Sequence, residues 1–127
     1  MIFVDTNVFL YAVGAEHPNR APATALLADA IDRGDALYTS AEVLQELLHV
    51  YRYRGQLDRF DDAVALVDAT VAAVWPVEPD DVRVARWLAA VHPTLQARDL
   101  LHLAVCRRHG ATAMQTFDSE LAAAFAG

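Results

Sequence analysis

Apolar and polar positions along the chain alternate between short solid runs and longer periodic stretches. Ile2-Phe3-Val4 is wholly apolar and is cut off by Asp5, the pattern of a strand buried on both faces of a parallel sheet. A short helix is expected near Asn7 to Val13. A longer one is expected from about Pro18 to Arg33, with Ala23, Leu26, Leu27, Ala30 and Ile31 at helical spacing and Gly34 as its stop. Ala36-Leu37-Tyr38 is the next strand candidate. Thr39 followed by Glu42 has the form of a capping box, opening a helix whose stripe is Val43, Leu47 and Val50 with Leu44, Leu48 and Tyr51. From Gln56 to Val74 apolar residues recur at three- and four-residue steps, through Leu57, Phe60, Val64, Val67, Val71 and Val74, which predicts one helix. Ala73 to Val77 can leave it as a third strand. Pro79 fits the first turn of a helix carrying Val84, Trp87, Leu88 and Val91. After His92-Pro93, a helix from about Arg98 to Arg108 is closed by Gly110, Ala111 to Gln115 is a fourth strand, and Ser119 to Phe125 a last short helix.

Short apolar strands alternating with helices predict an α/β fold of three layers, with a central, mostly parallel sheet of four strands covered on both faces. Ligands of such sheets bind beyond the carboxyl ends of the strands. At 127 residues the chain fits one domain, residues 1-127, and no internal repeat appears. No apolar run of about 18 residues occurs, which excludes a membrane-spanning helix. The start Met1-Ile2-Phe3-Val4-Asp5 lacks a basic segment and carries an acid where a signal peptide is apolar, so a cytoplasmic location is expected. The lone Cys106 lies in an apolar helical pattern and reads as a core residue.

The predicted elements bring acids to the functional edge of the sheet. Asp5 follows the first strand directly, and Asp118 lies just beyond the fourth, with Thr116 between strand and acid. Asp99 falls in the first turn of its helix, where backbone N–H groups favour a negative charge. Glu46 is roughly 40° round the helix axis from Val50, at the margin of an apolar face. Four carboxylates sharing one cleft repel each other, and burial raises their pKa values further, a conflict that a divalent cation resolves. Oxygen ligands without a matching Cys or His cluster favour Mg²⁺ or Mn²⁺ over zinc. Such an ion can activate water for attack on phosphorus, so phosphodiester hydrolysis suits this inventory.

The ordered set says more than the acids alone. Val4-Asp5-Thr6-Asn7, then Ser40-Ala41-Glu42-Val43-Leu44-Gln45-Glu46-Leu47, then Arg98-Asp99-Leu100-Leu101-His102-Leu103-Ala104, then Thr116-Phe117-Asp118 resemble the PIN-domain family. The chain looks most like a VapC-type toxin of a toxin–antitoxin pair, over nearly its whole length. The resemblance implies an endoribonuclease using Mg²⁺ or Mn²⁺, pairing as a homodimer and inhibited by a small antitoxin. It assigns metal coordination to Asp5, Asp99 and Asp118, metal or water positioning to Glu46, and supporting hydrogen bonds to Asn7 and Thr116. Similar proteins usually add a fifth strand after the helix that follows Asp118, whereas only four are expected here.

The formal charge of −7 weighs against a nucleic-acid partner, but a bound cation offsets clustered acids and all ten basic residues are Arg, suited to phosphate. Arg52, Arg54 and Arg59 flank Gly55 as the densest basic segment, open to RNA phosphates, to an acidic partner or to solvent. Asp80 and Asp81 are expected to complement a helix dipole. Trp75 and Trp87 read as core or interface anchors. His102, three residues after Asp99 on one helix face, is either a partner that orients Asp99 or a satisfied, partly buried histidine. Two other functions remain to be weighed. A phospho-acceptor receiver needs a Lys near its acid, and the chain has none. A catalytically silent PIN-like module that binds RNA or protein is disfavoured because no acid of the quartet is missing.

Overall fold

The computed structural model describes residues 1 to 127. Four strands and seven helices follow in the order β1 (Ile2–Val4), α1 (Thr6–Val13), α2 (Arg20–Asp32), β2 (Leu37–Ser40), α3 (Ala41–Tyr53), α4 (Leu57–Thr70), β3 (Ala73–Trp75), α5 (Pro79–Val91), α6 (Ala97–His109), β4 (Ala113–Gln115) and α7 (Ser119–Ala126). The strands form one parallel sheet in the order β3-β2-β1-β4, the fold class that the alternation predicts.

β1 is paired on both sides, Ile2 opposite Leu37 and Ala113, so its Phe3 and Val4 have no route to water and are fully buried. That explains why the run is solidly apolar and not alternating. β2 and β3 build out one side of β1, and the chain then crosses to place β4 on the other. The crevice beyond the carboxyl ends of β1 and β4 is thus the switch point of the sheet. A larger core joins Phe3 and Leu37 to Val8 and Phe9 of α1, Leu27 of α2, Leu47 of α3 and Val67 of α4; a smaller one joins Leu88 of α5, Leu103 of α6 and Leu121 of α7.

Several boundaries differ from the sequence expectation for identifiable reasons. The periodic stretch after Gln56 does not run as helix to Val74: Val71 turns extended, and Val74 belongs to β3, although both still pack on the larger core. Apolar spacing reports burial, and here burial continues after the helix has ended. The capping box of Thr39 and Glu42 does not form. Thr39 lies inside β2, which is longer than expected, and its hydroxyl donates to the Val4 carbonyl at 2.8 Å. A capping box occurs instead at Glu78 and Asp81 of α5.

Asp80 and Asp81 do stand in the first turn of α5, but Asp81 does more than complement the helix dipole. It is 1% exposed, accepts from the Glu78 backbone N–H at 2.8 Å, and is gripped by Arg108 of α6 through Nε at 2.8 Å and Nη2 at 3.0 Å. The same Arg108 donates to the Pro76 carbonyl, so one ion pair locks α5, α6 and the end of β3 together. On the outer face of α5, Val84, Trp87 and Val91 stay exposed and only Leu88 of the expected stripe is buried. Trp75 is a core residue stacked between Tyr38 and His109, whereas Trp87 is 59% exposed beneath the Arg107 guanidinium.

Burial raises the pKa of Asp81, but the Arg108 and Glu78 hydrogen bonds outweigh it and hold the carboxyl below its ordinary value. A depressed folded pKa adds stability that is present above the unfolded value and lost as pH falls through the folded one. Asp81→Asn is therefore expected to lose about 2 kcal/mol at pH 7. Urea denaturation should show that deficit narrowing once the medium is acidified below the ordinary carboxylate range.

Candidate active site

Asp5 is 5% exposed where β1 meets α1, and both of its oxygens are engaged. Oδ1 accepts from the Thr6 backbone N–H at 2.7 Å, which makes Asp5 the N-cap of α1. Oδ2 accepts from the Thr116 hydroxyl at 2.7 Å. Thr116, just past β4, also accepts from the Asn7 side-chain amide at 3.2 Å and from the Asp118 backbone N–H at 3.0 Å. The Asn7 side-chain oxygen accepts in turn from the Phe117 backbone N–H at 3.1 Å. One hydroxyl using its donor and both lone pairs thus ties the end of β1 to the approach to Asp118. Asn7 and Thr116, to which the resemblance gives supporting hydrogen bonds, bond to each other and, through Thr116, to Asp5.

α3 begins immediately after β2, which carries Glu46 into the same crevice from the second turn. Asp99 enters from the first turn of α6, and Asp118 caps α7, its Oδ1 accepting from the backbone N–H groups of Glu120 at 3.0 Å and Leu121 at 3.2 Å. Asp5, Glu46, Asp99 and Asp118 all line one open cleft of about 560 Å³. The structure therefore brings the whole predicted quartet together. Arg52 and Arg54 are not in that cleft. They lie exposed at the far end of α3, with Arg52 lining a separate shallow pocket beside Gly55. Arg98 is the arginine at the rim of the cleft, a residue the sequence reading passed over although it adjoins Asp99 in the first helical turn.

His102 departs from both sequence readings. It does not bond Asp99; its ring is 0% exposed, with Nε2 2.8 Å from Glu46 Oε1 and 3.5 Å from Asp5 Oδ1. Its signal was present in the three-residue spacing from Asp99, but only tertiary packing shows that this face of α6 looks across to α3.

The electrostatics follow from this crowding. Burial pushes the Asp5 carboxyl above its ordinary value, against the opposing pull of His102 and of the Thr116 and Thr6 hydrogen bonds. Asp99 is raised by burial and by the charges of Asp5 and Asp118. Glu46 goes the other way: burial raises it, but hydrogen bonding and attraction from His102 outweigh burial and hold it ionised. His102 is penalised by burial yet raised overall by Glu46 and Asp5. The Thr6 hydroxyl is buried with no hydrogen-bond partner, close enough to Glu46 to favour its charge.

Carboxylates of Asp5 and Glu46 lie with the His102 ring nitrogen within 4.8 Å of one another, and Asp99 and Asp118 face the same space. This set of hard oxygens, two of them reluctant to ionise together, fits a divalent cation. The same crowding sets a stability test. A carboxyl whose folded pKa is raised costs stability once pH climbs above its unfolded value. With divalent ions chelated, Asp99→Asn should raise Tm by a few degrees at pH 7, and calorimetry at pH 4 should find the gain largely gone.

The family comparisons agree with this geometry. The PIN-domain model matches residues 2–125. The chain is 54% identical over 125 residues to Ribonuclease VapC23 of Mycobacterium tuberculosis, covering 98% of each chain. It is 41% identical over 118 residues to Ribonuclease VapC13 of the same species, covering 93% of this chain and 90% of that one. Among solved structures it superposes on M. tuberculosis VapC20, a sarcin–ricin loop cleaving toxin, with TM-score 0.83 at 27% identity, covering 98% and 95% of the two chains. The VapBC2 structure of Rickettsia felis shares the fold with TM-score 0.68 at 17% identity, over 94% of this chain and 90% of that one. With this agreement along nearly its whole length, the chain belongs to the VapC ribonucleases of the PIN-domain family.

Proposed function

We propose that this protein is a divalent-metal-dependent endoribonuclease, the toxin of a toxin–antitoxin pair, acting on RNA in the cytoplasm as a homodimer and silenced by a small antitoxin. The observation that carries the reading is the convergence of Asp5, Glu46, Asp99 and Asp118 on one cleft at the switch point of the sheet. Support comes from the relatives, which are named ribonucleases, and from the structural neighbours, one a toxin and one a VapBC assembly bound to promoter DNA. A silent binding module has no comparable support, because every acid of the quartet stands in the cleft.

Asp5, Asp99 and Asp118, with Glu46, would hold the ion. When bound, Mg²⁺ or Mn²⁺ supplies neutralisation of phosphate charge and activation of water. The chain's own groups do the rest. Asp5 is kept in place by the Thr6 and Thr116 hydrogen bonds, so it does not reorganise as charge develops. Glu46, ionised at neutral pH, can offer Oε2 to the ion or to the attacking water, since Oε1 is committed to His102. Arg98 at the rim can meet a phosphate of the bound strand, and Arg52 and Arg54 at the far end of α3 offer two further cations to RNA outside the cleft.

Asp5→Asn and Asp99→Asn, each folded by circular dichroism, should lower cleavage of structured or single-stranded RNA by at least about a hundredfold. Chelation with EDTA should abolish wild-type cleavage and Mn²⁺ restore it; undiminished cutting in EDTA would falsify the metal role. Replacing Arg52 and Arg54 together by Ala should raise KM and leave kcat unchanged. Each lost phosphate contact should flatten the salt dependence of binding by about 0.7 in log–log slope.

A further inference from the structure

His102 is wholly buried beneath the cleft, and the preceding mechanism uses it only as the partner of Glu46 Oε1. It rises from α6 between Glu46 of α3 and Asp5 at the end of β1, and its ring lies against Phe3, with centroids 5.4 Å apart. An apolar side chain would pack on Phe3 equally well without the cost of burying a polar ring. The ring is also only half satisfied. Nε2 meets Glu46 Oε1 at 2.8 Å, while Nδ1 is buried with no partner at all. A ring whose proton sat on Nδ1 would bury an orphan donor and face a carboxylate oxygen with a lone pair. The arrangement therefore requires the proton on Nε2. An Nε2 that donates to Glu46 has no lone pair to offer a metal. In that tautomer His102, although it lies among the acids, serves Glu46 as a donor and not the ion as a ligand.

We propose that His102 is a positioning residue that fixes the Glu46 carboxylate. By holding Oε1 with a single N–H from a fully buried ring, it turns Oε2 to the cleft and prevents Glu46 from swinging to other rotamers. This inverts the common arrangement in which a carboxylate orients a metal-bound histidine; here the histidine orients the carboxylate. The inference rests on the proposed role of Glu46 at the metal, and it adds a residue that acts only through Glu46.

The test uses Mn²⁺ titration calorimetry on the full chain together with RNA cleavage kinetics. His102→Phe, which keeps the ring against Phe3, should bind Mn²⁺ about tenfold to a hundredfold more weakly and lose kcat more than KM. His102→Gln, whose amide nitrogen reaches the former Nε2 position, should recover most of both. His102→Asn, whose amide stops at the Nδ1 position, should not. In a Glu46→Gln background, His102→Phe should cost nothing more in Mn²⁺ affinity. Equal Mn²⁺ affinity in wild type and His102→Phe overturns the proposal, as does independent loss in the double variant or rescue by Asn in place of Gln. A wild-type chain that neither binds Mn²⁺ nor cuts RNA overturns the ribonuclease reading instead. Should the Phe variant not fold, nitrogen NMR of the Mg²⁺-loaded wild type decides: a proton on Nε2 supports the assignment, and an unprotonated Nε2 ends it.

Discussion

The structure depends on placing a carboxylate at the end of a strand that has no contact with water. β1 must be apolar because both its edges and both its faces are covered, and Asp5 then follows with nowhere to go but the switch point. Burial disfavours its charge, so each neighbour that stays must help carry it. Thr6 donates through the backbone, Thr116 through its hydroxyl, and His102 supplies attraction from below. Arg98 at the rim and His102 below offset part of the remaining repulsion, yet Asp5 and Asp99 still lie above the ordinary carboxylate range. An acidic cleft that is unfavourable when empty has the electrostatics that suit a cation.

This bears on how a chain with formal charge −7 can serve a polyanionic substrate. Net charge counts acids that the site uses inwardly as though they faced the solvent. Asp81 is likewise spent on Arg108, inside the packing of α5 against α6. What RNA would meet is the local surface, with Arg98 at the rim and Arg52 and Arg54 at the far end of α3, and steering depends on that local field more than on the total.

Much of the site could be read from the sequence because its acids occupy positions that local pattern defines: the end of an apolar run for Asp5, a first helical turn for Asp99, a strand exit for Asp118. Glu46 was legible through its helical angle to Val50. What escaped was set by contacts distant in sequence. Nothing near His102 indicates that Glu46, fifty-six residues earlier, would be its partner. Asp81 looked like an ordinary helix-start acid because Arg108 is twenty-seven residues away. Thr39 was misread for a related reason, since a threonine before a helix caps it unless a neighbouring strand, here β1, offers a better acceptor. Trp87 shows the converse: helical spacing marks it as core, yet α6 covers only a narrower face of α5.

Asp118 holds two positions at once. One oxygen closes the first turn of α7, and the residue also lines the cleft. Truncation to Ala removes a helix cap worth about 1 kcal/mol along with the cleft charge, so a dead Ala variant cannot say which loss mattered. Asparagine caps nearly as well and carries no charge, which separates the two roles. The start of the last helix is thereby fixed at the acidic edge by the Asp118 carboxyl while Leu121 anchors its body in the core, and the architecture of the carboxy-terminal segment shares part of its foundation with the chemistry.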